Sequence, residues 1–440
     1  MDYKRITALF FLLVISSQAS ALDFLQAVSR AEKSDPDIRA AEYTYYSIVE
    51  ARAQSESSLL PQINLNLYTR HDQTEISNSS DTVSMPNDKR SFNTDGYSLS
   101  LTQSVYEHGL YLQLEQADLN IAMATVELDS ERQALSVTVA EAYYKVLAAN
   151  DNLRFARAEK KAIERQLEQA QKRFDVGMTA ITDVKEARAQ YDMAVAQEII
   201  ADNRVLTARE GLKVLIGEIP AAVHNLSKKF PLLTPEPVDI NKWVESAKKN
   251  NPVLKSASYA VALSQKQVGI NRSEHYPSLN LQLSRDYSSL DAGNYVSSDA
   301  DDTRAILELS VPLYSGGMTN SKTRQAIVEV NKSKAMYNKS FRQVVQQVRD
   351  SYLGVIASIA QVKALKQALI STQTAYQATQ AGFDVGTRTA VEVLAVLREQ
   401  YRAERDYAQT RYDYIDRKST RLNSSHRCSS YAVFCLKKKN

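Results

Sequence analysis

Four stretches of the chain alternate apolar and polar residues with a period of two. Ile63, Leu65 and Leu67 alternate with Asn64, Asn66 and Tyr68, and Leu99 and Leu101 with Ser98, Ser100 and Thr102. Further on, Leu279, Leu281 and Leu283 alternate with Asn280, Gln282 and Ser284, and Leu307, Leu309, Val311 and Leu313 with Glu308 and Ser310. Such a period marks a strand with one apolar and one wet face. It predicts strand pairs at 61–70 with 97–106 and at 277–286 with 305–314, joined by polar loops at 70–96 and 286–304. Tyr68, Tyr97, Tyr106, Tyr287 and Tyr314 fall near the strand ends, which suits an interfacial aromatic girdle.

The rest of the pattern is helical. Between Leu110 and Phe174 there is neither proline nor glycine, and at 1.5 Å per residue that span would extend about 100 Å. Ile163, Leu167, Ala170 and Phe174 recur at spacings of 4, 3 and 4, the seam of side-by-side helix packing. Gly177 and Gly386 interrupt helical text, so each is predicted to turn a helical hairpin.

These elements occur twice. Asp35-Pro36 recurs as Asn251-Pro252, and Leu60-Pro61-Gln62-Ile63-Asn64-Leu65 as Tyr276-Pro277-Ser278-Leu279-Asn280-Leu281, both at an offset of 216. Phe174-Asp175-Val176-Gly177 recurs as Phe383-Asp384-Val385-Gly386 at an offset of 209. The first strand pair spans 45 positions from Pro61 to Tyr106 and the second 37 from Pro277 to Tyr314, which accounts for nearly all of the slip. The expected organisation is repeat 1 at 22–217, a proline-bearing connector at 218–242, and repeat 2 at 243–415 with its last helix shortened.

The two ends differ from the body. Lys4 and Arg5 precede the apolar run Ile6 to Ile15, and Ala19-Ser20-Ala21 follows; residues 1–21 read as a secretory signal peptide, against a short buried helix. From about Asp416 the helical period is lost, and residues 416–440 resemble translated sequencing-adapter read-through, against a divergent native tail. This tail holds both cysteines, Cys428 and Cys435, and a net charge of +6 in a chain whose total is +3. The body is then net −3, so a nucleic-acid reading based on charge loses its support. A body without cysteine also excludes a disulfide scaffold or a thiolate metal site.

Four amphipathic strands cannot close a membrane barrel, since the smallest have about eight, and an open edge in lipid leaves backbone groups unsatisfied. Either the strands lie outside a membrane or several chains share one barrel. Two chains would give eight strands and three would give twelve.

The residues that carry the repeat also carry a family likeness. Asp35-Pro36, Leu60 to Leu65, the segment Pro312 to Ser321, the segment Phe174 to Asp192 and the segment Gly382 to Leu394 resemble the TolC family of outer-membrane efflux proteins, over essentially Leu22 to Ile415. The resemblance implies a membrane α+β fold. Three chains would form a homotrimer with a 12-stranded barrel in the outer membrane of a Gram-negative cell, continued by a coiled-coil α-helical barrel in the periplasm. It implies a passive duct for small-molecule efflux, type I protein secretion or both. Docking would be to a periplasmic adaptor and an inner-membrane pump of ABC, RND or MFS type, with no cofactor and no nucleic acid.

No enzyme motif is found. His71, His108, His224, His275 and His426 have no ligand spacing, and no P-loop, HExxH or nucleophile elbow occurs. The informative polar residues follow the hairpin glycines: Thr182 and Asp183 after Gly177, and Arg388 and Glu392 after Gly386. If the tips converge on one axis, each becomes a ring. Carboxylate rings attract cations, and an Arg388–Asp183 pair between neighbouring hairpins would hold the tip shut. With the family likeness, Asp183, Thr182, Arg388 and Phe383 are expected to form a periplasmic gate, and Glu392 a cation-selective ring. Relatives commonly carry tyrosine at the Phe383 position and a second acid at the Ala395 position. A different class, a periplasmic coiled-coil adaptor bridging two membranes, would lack the four strands and would carry one hairpin rather than two.

Overall fold

The computed structural model describes residues 22–76, 88–220, 222–224, 231–291 and 297–418. The leader expected at 1–21 lies outside these residues, as does most of the tail expected at 416–440. The elements run α1 (Phe24–Ser34), α2 (Pro36–Ser57), β1 (Gln62–Ile76), β2 (Asp88–Tyr106), α3 (His108–Asp175) and α4 (Ile181–Ile216). The same order returns as α5 (Ile240–Asn250), α6 (Pro252–Ser273), β3 (Ser278–Asp291), β4 (Ser297–Ser310), α7 (Met318–Asp384) and α8 (Ala390–Asp416). The chain is a tandem repeat in structure as well as in sequence.

The Asp-Pro and Asn-Pro pairs are helix junctions. Asp35 is extended (ψ 124°) and ends α1, while its Oδ1 accepts from the amides of Asp37 and Ile38 at the start of α2. Pro36 then takes the first helical position, where its missing donor and fixed φ cost nothing. Asn251 before Pro252 repeats the extended junction, and both polar residues are buried.

The chain forms two compact units. One comprises residues 40–129 and 252–342, and it carries an antiparallel sheet in the order β1-β2-β3-β4. Its register pairs Leu65 with Leu99, Leu101 with Leu283 and Leu281 with Leu307. The apolar positions therefore share one face, and Leu67 and Leu307 on that face are 75% and 64% exposed. Gln103 and Arg285 share that face, and the exposed leucines around them form an apolar patch of the kind that something apolar covers.

The strands are longer than the alternation predicts, and much of the two expected loops is strand. Pairing continues from Arg70↔Thr94 to Ile76↔Asp88, and from Tyr287↔Asp301 to Asp291↔Ser297. Backbone ladders need no apolar side chains, so pairing persists where both faces turn polar. The fourth strand is displaced the other way: it ends at Ser310, leaving Leu313 and Tyr314 beyond it and exposed. The tyrosines also divide. Tyr97 and Tyr287 stack at 5.6 Å on the apolar face. Tyr68 pairs with Gly96 on the polar face, where a Cβ on Gly96 would lie 2.7 Å from the Tyr68 ring. Tyr68 therefore does not belong to the outward girdle.

The other unit comprises residues 1–39, 130–251 and 343–440 and is helical in its described part. Its largest core gathers Val139, Tyr143, Val146, Leu147, Leu212, Val355 and Tyr414 around the α1 residues Phe24, Ala27 and Ala31. Phe24 meets Tyr143 edge-on at 5.9 Å and stacks on Tyr144 at 6.1 Å. Tyrosine hydroxyls tie the connector to this core: Tyr143 donates to the Leu22 and His224 carbonyls, and Tyr414 donates to Leu233 O and accepts from Leu233 N. A buried hydroxyl keeps a partner because an unpaired one costs about 1–3 kcal/mol. Nearer the hairpin ends, Ile163 and Ala170 of the α3 seam are buried against Val184, Ala187 and Ala194 of α4 and Leu394 and Leu397 of α8.

Candidate gate at the helical hairpin tips

Both hairpins turn by the same capping motif. At the first, Gly177 has φ 76°, its amide donates to Phe174 O (2.9 Å), and the amide of Met178 donates to Arg173 O (2.8 Å). At the second, Gly386 has φ 83°, its amide donates to Phe383 O (3.1 Å), and the amide of Thr387 donates to Gly382 O (2.8 Å). This is the Schellman arrangement, with glycine in the left-handed conformation after the last helical turn. Gly177 and Gly386 each lie two residues beyond the last residue of their helix, α3 and α7.

The return helices begin alike but are held differently. Asp183 and Glu392 are each the third residue of their helix, where a carboxylate complements the positive end of the helix dipole. On α8 the Thr389 side chain caps the helix by accepting from Glu392 N (3.3 Å), and Arg388 pairs with the Glu392 carboxylate (3.3 Å). On α4 the cap position is Ala180 with no side-chain bond, and the Thr179 hydroxyl donates to Asp183 instead. Thr179 and Arg388 are repeat mates, each four residues ahead of its carboxylate. One slot thus holds Asp183 with a neutral hydroxyl and Glu392 with a cation.

These contacts decide which expected site residues meet within the chain. Arg388 meets Glu392, not Asp183, because its partner one turn away is already in reach. Among the described residues no lysine or arginine pairs with Asp183. Thr182 is exposed at the tip. Phe383 is 8% exposed, in a cluster with Tyr376, Ala390 and Val393, and Arg173 lies over its ring with Cζ 4.1 Å from the centroid. Arg173 and Thr179 are site residues that sequence reasoning missed. Their signal is the repeat offset itself, which sets Arg173 against Gly382 and Thr179 against Arg388.

The histidines are placed structurally. His71 bonds Asn93 (2.6 Å) and Ser91 (3.2 Å), and His108 lies against Tyr276 at 5.3 Å. Among the described residues no cluster of three or more histidine, cysteine, aspartate or glutamate side chains is placed to hold a metal.

A sheet with a bare apolar face and two open edges, carried by a chain of paired helical hairpins, is the architecture of an outer-membrane channel. The chain belongs to the outer membrane efflux protein family, whose sequence model matches residues 27–218 and again 243–423. It is 33% identical to the outer membrane protein TolC of Vibrio cholerae serotype O1 over 94% of this chain and 93% of that one. It is 29% identical to the alkaline protease secretion protein AprF of Pseudomonas aeruginosa, over 92% and 84%. In fold it matches the CusC transmembrane channel (TM-score 0.75, 15% identity, 92% of each chain) and the Campylobacter jejuni CmeC outer membrane channel (TM-score 0.74, 14% identity, 94% and 88%). Family and fold are those of channels rather than enzymes, and the adaptor alternative falls with them.

Proposed function

We propose that this chain is one third of an exit duct through the outer membrane. Three four-stranded sheets close a 12-stranded barrel, and the long hairpins form a periplasmic helical tube whose tips are the gate. The open sheet carries this reading: β1 and β4 each leave one edge unpaired in the chain, and in lipid such edges must be satisfied by another copy. Energy comes from an inner-membrane pump of ABC, RND or MFS type, engaged through a periplasmic adaptor. The cargo is small molecules, type I secreted polypeptides or both, in keeping with the family's description as efflux proteins and with the name of the secretion protein AprF.

At the gate, Thr182, Asp183, Arg388 and Phe383 from three chains line the closed tip, and Glu392 forms a ring that favours cations. Inside one chain Arg388 neutralises Glu392 at 60% and 45% side-chain exposure. Such an exposed pair is worth about 0–1 kcal/mol, so Arg388 is free to exchange its partner for Asp183 of a neighbouring hairpin. Single-channel recording in planar bilayers tests the assignment. Arg388→Ser should raise conductance by at least about twofold, and Glu392→Ala should reduce cation preference. Unchanged current and selectivity in both variants would sink it.

A further inference from the structure

We infer that Arg173 and Phe383 form a clasp between the two hairpins of one chain that holds the tip closed. This rests on reading the tips as the gate. Arg173 sits on the last turn of α3, and Phe383, the repeat mate of Phe174, sits on the last turn of α7. The guanidinium Cζ lies 4.1 Å above the centre of a ring that is 8% exposed. A half-buried cation over a desolvated aromatic face is attracted more strongly than one in open water.

The repeat shows that this contact is an asymmetric addition. At the offset of 209, Arg173 corresponds to Gly382 and Arg388 to Thr179. Each tip therefore carries one arginine, on opposite sides of its turn. A Cβ on Gly382 would lie 2.8 Å from Arg388 Cγ, so the second tip leaves that space to Arg388, which folds along its own helix to Glu392. The first tip has no such arginine after its turn. Its cation stands on the outgoing helix, where it crosses to the other hairpin. Arg388 is thus spent locally, whereas Arg173 links α3 to α7, and splaying the hairpins must lift it from the ring.

The apolar seat beneath supports the same direction. Phe383 rests on Tyr376, Ala390 and Val393, and Val393 is fully buried. That seat belongs to the α7–α8 hairpin, so the ring travels with its own hairpin. The Arg173 contact breaks when the two hairpins separate, together with the Gln166–Gln380 hydrogen bond (3.2 Å) between the same two helices.

The test is single-channel recording of the full chain, with assembly of each variant checked on a gel. Arg173→Gln and Phe383→Leu should each raise the frequency of opening about 3- to 10-fold. The double variant should add little to either single one. Arg173→Lys keeps a positive charge near the ring and should give a smaller rise than Arg173→Gln. If Phe383→Leu does not assemble, the two arginine variants decide the matter. A rise in Arg388→Ser without one in Arg173→Gln, or full additivity in the double variant, overturns the clasp and leaves the gate standing. No response in Arg388→Ser, Arg173→Gln or Phe383→Leu overturns the gate and the clasp with it.

Discussion

Asp183 and Glu392 occupy one position on two related helices, yet their carboxylates keep different company. Finding them needed only the repeat: count 209 residues from either and the other appears. Their partners were not legible in the same way. An arginine four residues before a glutamate on a helix reaches it locally, which is why Arg388 meets Glu392 within the chain rather than the Asp183 expected from the family likeness. Arg173 was invisible because its partner lies 210 residues away and its repeat mate, Gly382, has no side chain to suggest one. A second residue-scale contact has a consequence for stability. Glu159 is 7% exposed and is held by Arg405 across from α8. Arg405→Met should leave that carboxylate without its cation and lower stability by about 1–3 kcal/mol, read as a fall in the midpoint of thermal unfolding in detergent. Glu159→Gln with Arg405→Met should recover part of the loss. Equal losses in the single and double variants would show that the pair contributes through packing alone.

At the scale of elements, the alternating pattern located four strands but misjudged their ends. Leu65, Leu67 and Leu99 mark where one face must be apolar. Beyond Tyr68 and Tyr97 the strands are mostly polar, with Phe92 and Leu290 the isolated exceptions in β2 and β3, and such a ladder leaves little trace in hydropathy. The helix ends were easier, because Gly177 and Gly386 each carry a positive φ that other residues adopt at a cost of about 1 kcal/mol. Between helices, Glu198 of α4 accepts from Lys160 (2.6 Å) and Arg157 (3.1 Å) of α3, and Lys160 foremost holds its carboxyl below the ordinary glutamate value. A depressed folded value stabilises the pairing of α3 and α4 at neutral pH, and this contribution is lost as the pH falls through it. Glu198→Gln should therefore be the less stable protein at neutral pH, and the gap should close on the acid side of the carboxylate range. A gap that does not change with pH would rule this out. Thr389→Ala should remove the α8 cap at a cost of about 1 kcal/mol, seen as faster amide exchange in the first turn of α8 than in that of α4.

For the whole molecule, the decisive fact is that duplication did not complete the sheet. Each copy supplies two strands, the two pairs join through β2 and β3, and β1 and β4 are left as edges. That incompleteness followed from counting strands, and the family likeness chose three copies over two. Tyr143 and Tyr414, whose hydroxyls bond His224 and Leu233, read in the sequence as ordinary apolar helix positions. The number of chains around one barrel decides whether the duct forms as proposed. Light scattering on the detergent-solubilised particle, corrected for bound detergent, measures it directly. The proposed duct requires a protein mass about three times that of one chain. A mass of one or two chains would contradict it.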